Sequence, residues 1–432
     1  MRFCTLTLGC KVNQYETGIL ERILINHGCD LVSAGDGCDI CIINTCAVTV
    51  ESEKKSRQAI RRLKKLEPAA LIAVCGCYSQ LAPESVKQIG VDFLSGVENK
   101  EEFIKKTLEQ ISCDRLKDDK TLFQFQIVQN DLLPLSSSGR TRALLKIQDG
   151  CDNFCTYCIV PGLRGRSRSA LPDFIAKQAK QLDEQGFKEI VITGIEISSY
   201  GKDLVSPRYR NISLVDILAL IYNSAPNTRL RLGSLDPSVI TDEFCRKLSE
   251  IPNLCNHFHL SLQSGCDKTL KKMGRKYNAT HVIESIKSIK SYFPECAITA
   301  DLITGFPGET DDDFEKTLDI IKRAAFSDMH IFQYSPRPGT KAADYSEQIN
   351  LNIKKERARI VTDTAKKMTE AFKQAQIGKT LYVLIEQEKN GISKGHSGNY
   401  LMITIKGKLQ KNTIYNVKIT GLKNGILSGE II

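Results

Sequence analysis

The residues of this chain best suited to chemistry are three cysteines in the stretch Asp149-Gly150-Cys151-Asp152-Asn153-Phe154-Cys155-Thr156-Tyr157-Cys158. Three thiolates on one short loop can hold three irons of a cubane iron–sulfur cluster. The fourth iron then has an open corner for a small molecule, which four-cysteine electron-transfer clusters lack. A zinc loop is the competing reading, but zinc wants a fourth ligand nearby. No cysteine or histidine follows within twenty residues of Cys158. Three incidental buried cysteines are the remaining reading.

A second set of cysteines is spread over the first hundred residues. Phe3–Leu8 reads as a strand, Tyr15–His27 as an amphipathic helix, Asp39–Asn44 as a buried strand, Glu51–Leu66 as a helix and Leu71–Val74 as a strand. Such alternation argues for a doubly wound parallel sheet. Cys10, Cys46 and Cys77 each follow one of these strands. The carboxyl ends of parallel strands share one edge, where open α/β sheets bind ligands. Three thiolates distant in sequence would meet there, again with an open iron. Structural cysteines are the alternative. Cys4, Cys29, Cys38, Cys41 and Cys75 lie inside or beside elements and read as small buried hydrophobes.

A new periodicity begins at Arg142. Strands are expected at 142–148, 188–193, 228–233, 256–261, 296–302 and 328–334, with helices at 172–185, 213–223, 278–292 and 311–324 between them. Six strand–helix units are fewer than the eight of a closed barrel, so an open partial barrel is expected, with its chemistry at the C-terminal strand ends. The cysteine loop sits at the end of the first strand. Thr193-Gly194, Ser234, Gln263 and Asp301 follow later strands. Arg164-Gly165-Arg166-Ser167-Arg168 reads either as an exposed basic loop or as a contact for phosphate or a cofactor carboxylate.

After a long charged helix at 349–376 the pattern turns to β, with strands at 380–387, 400–405, 413–420 and 426–432. This suits a small OB-like barrel. Residues 373–432 hold nine lysines and three glutamates, more than half of the formal net charge of +10. A small basic barrel is a common nucleic-acid adaptor. The helix at 51–66 carries Lys54, Lys55, Arg57, Arg61, Arg62, Lys64 and Lys65, a second candidate phosphate contact. Sixteen cysteines, a first stretch that reads as a strand and not a signal peptide, and no apolar run near membrane-span length point to a cytoplasmic metalloprotein without a disulfide framework. The turn-rich segment 113–140 reads as a linker.

With these residues assembled, the chain resembles the methylthiotransferase family of radical S-adenosylmethionine enzymes. The resemblance is carried by Gly9-Cys10-Lys11-Val12-Asn13, Asn44-Thr45-Cys46, Gly76-Cys77-Tyr78, the loop of Cys151, Cys155 and Cys158, Leu262-Gln263-Ser264-Gly265, Gly305-Phe306-Pro307-Gly308-Glu309-Thr310 and Tyr334-Ser335-Pro336-Arg337-Pro338-Gly339-Thr340. It implies an N-terminal methylthiotransferase domain (1–112), a linker (113–140), a radical SAM core (141–371) and a terminal barrel like the TRAM RNA-binding domain (372–432). It also implies two [4Fe–4S] clusters, on Cys10, Cys46 and Cys77 and on Cys151, Cys155 and Cys158. S-adenosylmethionine would serve as methyl donor and as source of the radical that activates carbon 2 of an adenine. Thr193, Gly194, Ser234, Gln263, Arg275 and Asp301 are the cofactor contacts expected. The partners implied are tRNA, an electron donor and a sulfur source, around a monomer. The Gly9-Cys10-Lys11-Val12-Asn13-Gln14-Tyr15-Glu16-Thr17 loop looks like the branch acting on N6-threonylcarbamoyladenosine at position 37, beside the anticodon. The alternatives are the isopentenyladenosine branch, the branch acting on a ribosomal protein, and a non-catalytic iron–sulfur RNA-binding protein.

Overall fold

The computed structural model describes residues 1–97, 100–115 and 141–432. The expected linker 113–140 lies outside the described residues from 116 onward. The chain forms two compact units. Cys158–Arg166 belongs with the N-terminal segment, and residues 140–157 belong with 167–432. Among the described residues no helix is long and apolar enough to cross a membrane.

The first unit is built on the strands β1 (Arg2–Thr7), β2 (Asp30–Leu31), β3 (Ile40–Thr45), β4 (Leu71–Gly76) and β5 (Phe93–Leu94), in the order β2-β1-β3-β4-β5. Every pairing is parallel. β3 is buried along its whole length, as a central parallel strand must be when both faces are covered. The connections leave β1 and β3 in opposite directions, so the crevice at their carboxyl ends is the topological switch point. Helix α1 (Lys11–Asn26) starts there with Cys10 at its N-cap. Helix α2 (Val50–Leu66) is capped by Thr49, whose Oγ1 accepts from Ser52 N at 3.1 Å. Glu51 and Glu53 lie in its first turn and Lys64 and Lys65 in its last, which suits the helix dipole.

The second unit carries parallel strands at Arg142–Lys146, Glu189–Thr193, Arg229–Arg231, Ser234–Leu235, His257–Gln263, Ala297–Thr304 and Asp328–Gln333. These are the six expected strands plus the short Ser234–Leu235. Along His257–Gln263 the residues alternate. Phe258, Leu260 and Leu262 are fully buried, while His259, Ser261 and Gln263 are half-buried on the other face. That second face is the polar lining of the partial barrel.

The C-terminal strands Thr380–Lys389, Ile392–Ser397, Met402–Lys406, Ile414–Lys423 and Ile426–Ile431 close into a barrel. Four pairings are antiparallel. The pairing of Met402–Lys406 with Ile426–Ile431 is parallel.

The barrel is fastened to the core through one buried carboxylate. Glu189 is fully buried and meets Arg231 at 2.7 Å and Arg229 at 2.6 Å, with Arg142 at 4.0 Å. The three arginines reach onward to the barrel. Arg229 donates to Tyr382 O and His396 O, Arg231 to Ser397 O and Gly398 O, and Arg142 pairs with Glu386 at 3.1 Å. Burial alone would raise the Glu189 carboxyl, but the guanidiniums of Arg231, Arg229 and Arg142 outweigh it and hold it at about 2. Its folded pKa is below its unfolded one, so its contribution is complete above pH ~4.5 and is lost as pH falls towards 2. Glu189→Ala would leave buried cations uncompensated and is expected to cost about 3–5 kcal/mol. The urea midpoint followed by circular dichroism measures this. A shift no larger than that of an exposed-pair mutant such as Glu250→Ala would refute the hub.

Candidate active site

At the switch point the register brings two cysteines abreast. Thr45 pairs with Gly76, so Cys46 and Cys77 are the next residues on neighbouring strands. Cys10 follows β1, on the other side of β3. The positive φ of Gly9 (+99°) and Gly76 (+102°) makes these turns. A Cβ on Gly9 would lie 2.8 Å from the Cys46 sulfur, and one on Gly76 would run into Asn44 Oδ1, so neither position admits a side chain.

Side chains brace the three loops. Asn13 is buried and donates to Leu8 O at 2.8 Å and to Thr45 O at 3.0 Å, linking the turns that carry Cys10 and Cys46. Ser56 of α2 bonds both Cys46 N (3.2 Å) and Cys46 O (3.1 Å). Thr45 Oγ1 donates to Cys75 O at 2.7 Å. Cys75 is fully buried in the strand among apolar residues, as its place before the glycine implies.

Arg164 belongs to this site and not to an exposed loop. It is 2% exposed. Its guanidinium forks onto Glu16 at 2.7 and 3.2 Å and donates to Asn13 Oδ1 at 2.8 Å. It also hydrogen-bonds the Cys77 thiol. Burial pushes Cys77 up to about 11, and Arg164 acts against this, favouring the thiolate. Cys10 and Cys46 act on Cys77 in the raising sense, so the three sulfurs feel one another's charge. This donor set suits an iron–sulfur cluster with one open iron: three thiols, no disulfide among them, and one buried cation against their negative charge.

Cys151 and Cys155 fall in the second unit and Cys158 in the first. The strand Arg142–Lys146 delivers the chain to buried Gln148. Its Nε2 donates to Asp149 O, Gly150 O and Ser167 Oγ at 2.8–2.9 Å, and its Oε1 accepts from Glu196 N at 2.8 Å. Cys151 Sγ accepts from Asn153 N at 3.4 Å. Cys155 Sγ accepts from Arg275 Nη1 at 3.3 Å. Arg275 is tied to Asp236 at 2.7 Å and to Tyr277 OH at 3.0 Å, so it arrives pre-oriented. Thr156 is fixed by two consecutive carbonyls at one helix end, its N–H donating to Met273 O at 2.9 Å and its hydroxyl to Lys272 O at 2.8 Å. Glu196, beside Asn153, is pushed up to about 7 by burial and by the nearby Asp236 carboxylate.

The remaining expected cofactor contacts stand as follows. Thr193 ends its strand and Gly194 follows against Gln148. Ser234 opens a short strand, and Gln263 ends another with φ +60°. Asp301 stands inside its strand, which runs on to Thr304. It is held by His259 and His330, each at 3.1 Å. Burial would raise Asp301, but the two histidines outweigh it and bring it to about 2.

A parallel partial barrel with a three-cysteine loop at the end of its first strand defines a radical SAM enzyme. Models for the Radical SAM superfamily and for Uncharacterized protein family UPF0004 match residues 145–321 and 2–96. The chain is 35% identical to the threonylcarbamoyladenosine tRNA methylthiotransferase MtaB of Bacillus subtilis, over 93% of this chain and 89% of that one. It is 32% identical to the tRNA-2-methylthio-N(6)-dimethylallyladenosine synthase of Geobacillus kaustophilus, over 100% and 82%. Among solved structures it resembles the radical S-adenosylmethionine methyltransferase TsrM of Kitasatospora setae, with a TM-score of 0.54 at 15% identity over 77% and 73%, a likeness of fold. The chain therefore belongs to the radical SAM methylthiotransferase family. It is a tRNA-methylthiolating enzyme whose cofactors are S-adenosylmethionine and [4Fe–4S] clusters.

Proposed function

We propose that this enzyme converts N6-threonylcarbamoyladenosine at position 37 of tRNA to its 2-methylthio derivative. The observation that carries the reading is the Gly9-Cys10-Lys11-Val12-Asn13 turn, joined to 35% identity with a relative named for that nucleoside. Cys151, Cys155 and Cys158 would hold one cluster, and Cys10, Cys46 and Cys77 the other. When bound, these groups supply radical generation from S-adenosylmethionine and a transferable sulfur. The protein's own part is to orient them. Gln148 and Thr156 set the cysteine loop. Arg275 donates to the Cys155 sulfur and keeps its charge beside it. Thr193, Gly194, Ser234, Gln263, Arg275 and Asp301 are the contacts proposed for S-adenosylmethionine.

The barrel (372–432) and helix α2 would hold the tRNA through its phosphates. Lys54, Lys55, Arg61, Arg62 and Lys65 are exposed, and no carboxylate among the described residues pairs with them. The enzyme would work in the cytoplasm as a monomer, with an external electron donor and sulfur source. Binding should weaken steeply with salt. Reversing Arg61 and Lys65 to Glu should weaken it several-fold more, read by tRNA filter binding. Equal affinity would refute the role of α2.

Nucleoside analysis of tRNA from cells with and without the gene tests the substrate. The methylthio derivative of threonylcarbamoyladenosine should vanish and that of isopentenyladenosine should persist. The reverse pattern would assign the enzyme to the other branch.

A further inference from the structure

The two trios tied to the reaction are not the sulfurs that lie closest together. Among the described residues, two groups place three ligand atoms all within 4.8 Å of one another: Cys4, Cys38 and Cys41, and His259, Asp301 and His330. The second lines the core barrel already described. The first belongs to no motif on which the family membership rests.

The fold dictates this juxtaposition. Cys4 and Cys41 are register partners on adjacent strands β1 and β3, so their side chains leave the sheet on the same face. Their sulfurs are 3.3 Å apart. Cys38 comes from the loop that enters β3, and its sulfur lies 3.6 Å from Cys4 and 3.4 Å from Cys41. That loop is held in place. Glu67, after the end of α2, is buried and accepts from Gly35 N at 2.6 Å, Gly37 N at 3.3 Å and Cys38 N at 3.2 Å. Arg2 adds a bond to Asp36 O at 2.8 Å. Cys4 and Cys41 are at most 1% exposed, whereas Cys38 is half-buried and gives the cluster a route to solvent. The other buried cysteines of this sheet, Cys29 and Cys75, belong to no such group among the described residues.

We propose that Cys4, Cys38 and Cys41 form a site for one thiophilic metal ion, zinc(II), separate from both cluster-binding trios. A tetrahedral zinc with Zn–S bonds of ~2.3 Å separates its sulfurs by about 3.8 Å. The three sulfurs need spread by only a few tenths of an ångström to reach that. Three sulfur donors exclude hard cations such as magnesium or calcium, which take oxygen. Glu67 fixes the donor-bearing loop through its backbone, the supporting role that second-layer carboxylates play at zinc sites. The fourth position opens beside Cys38 and takes water. The ion would clip the loop at 33–38 to the middle of β1 and β3 and stabilise the sheet that presents Cys10 and Cys46.

The test uses the full chain with its iron–sulfur clusters reconstituted under anaerobic conditions. It is incubated with zinc sulfate and passed through a desalting column. Elemental analysis should find one zinc per chain beyond that of Cys38→Ser, and the zinc X-ray absorption edge should report three sulfur neighbours. Cys38→Ser should bind at least tenfold less zinc with unchanged iron and unchanged 5′-deoxyadenosine formation, and Cys29→Ser should match the wild type. Equal zinc in wild type and Cys38→Ser overturns the proposal, as does zinc without sulfur neighbours. A second measurement does not depend on how a variant folds. In the wild type, Cys38 should resist iodoacetamide when zinc is present and react after chelation. Equal reactivity in both states, or a disulfide within the trio, overturns the site.

Discussion

Cys155→Ala is expected to abolish 5′-deoxyadenosine formation and to leave about half of the iron, since on the proposed assignment one of two clusters would lose a ligand. Cys155 is 9% exposed, and its sulfur is the one that Arg275 reaches, at 3.3 Å. Its loss would remove the proposed ligand and the sulfur acceptor of Arg275, which keeps its ion pair with Asp236. Chromatography of the cleaved cofactor and a colorimetric iron assay measure the two quantities. Cys46→Ala should give the complementary result. Its cleavage of S-adenosylmethionine should continue, while methylthiolated tRNA falls to background. The contrast separates the roles, because a general loss of folding would lower both outputs in both variants. Reductive cofactor cleavage by Cys155→Ala at wild-type rate would overturn the radical assignment. Full methylthiolation by Cys46→Ala would overturn the sulfur-carrier role.

The cysteines were legible in the sequence because each trio follows strand ends whose positions hydrophobic runs reveal. What braces them was not. Asn13 and Glu16 lie three residues apart on α1 and face the same way, yet their partner Arg164 is nearly 150 residues on. The first arginine of an Arg-Gly-Arg-Ser run looks like a solvated loop until a carboxylate is found behind it. The same holds for Glu189, whose three arginine partners come from two other strands, Arg142 from one and Arg229 and Arg231 from another. The strand Ile392–Ser397 escaped for a different reason. Its inward face is Ser393, Gly395 and Ser397, which no apolar alternation marks. Ser393 and Ser397 are fully buried and use their hydroxyls within the barrel, on Gly407 O and Leu401 O. Gly395 is required because a Cβ there would meet Leu384 O. Cys4 and Cys41 were legible as buried cysteines, whereas Cys38, read the same way, is only half-buried; the meeting of the three depends on strand register and on a loop held by Glu67. Periodicity reports neither.

Arg164→Met is expected to damage the N-terminal cysteine site more than its distance in sequence suggests. The substitution leaves Glu16 buried without its charge partner, which costs about 3–5 kcal/mol when one member of a buried pair is removed. It also takes from Asn13 the bond that steadies the bracket between the Cys10 and Cys46 turns. The Cys77 thiol loses the cation that favours its ionised form. The cluster proposed on Cys10, Cys46 and Cys77 should therefore load poorly and, where loaded, reduce at a lower potential, because a compensating positive charge is gone. Iron content and the reduction potential followed by electron paramagnetic resonance read these effects. Arg164→Lys keeps the charge without the fork and should recover the potential better than the stability. Pairing Arg164→Met with Glu16→Gln should recover much of the stability, since no buried charge is then left alone, but not the potential. A potential unchanged in Arg164→Met, in protein with full iron, would reduce Arg164 to a structural tie. The double variant distinguishes these cases, because it separates the burial of Glu16 from the charge placed beside Cys77.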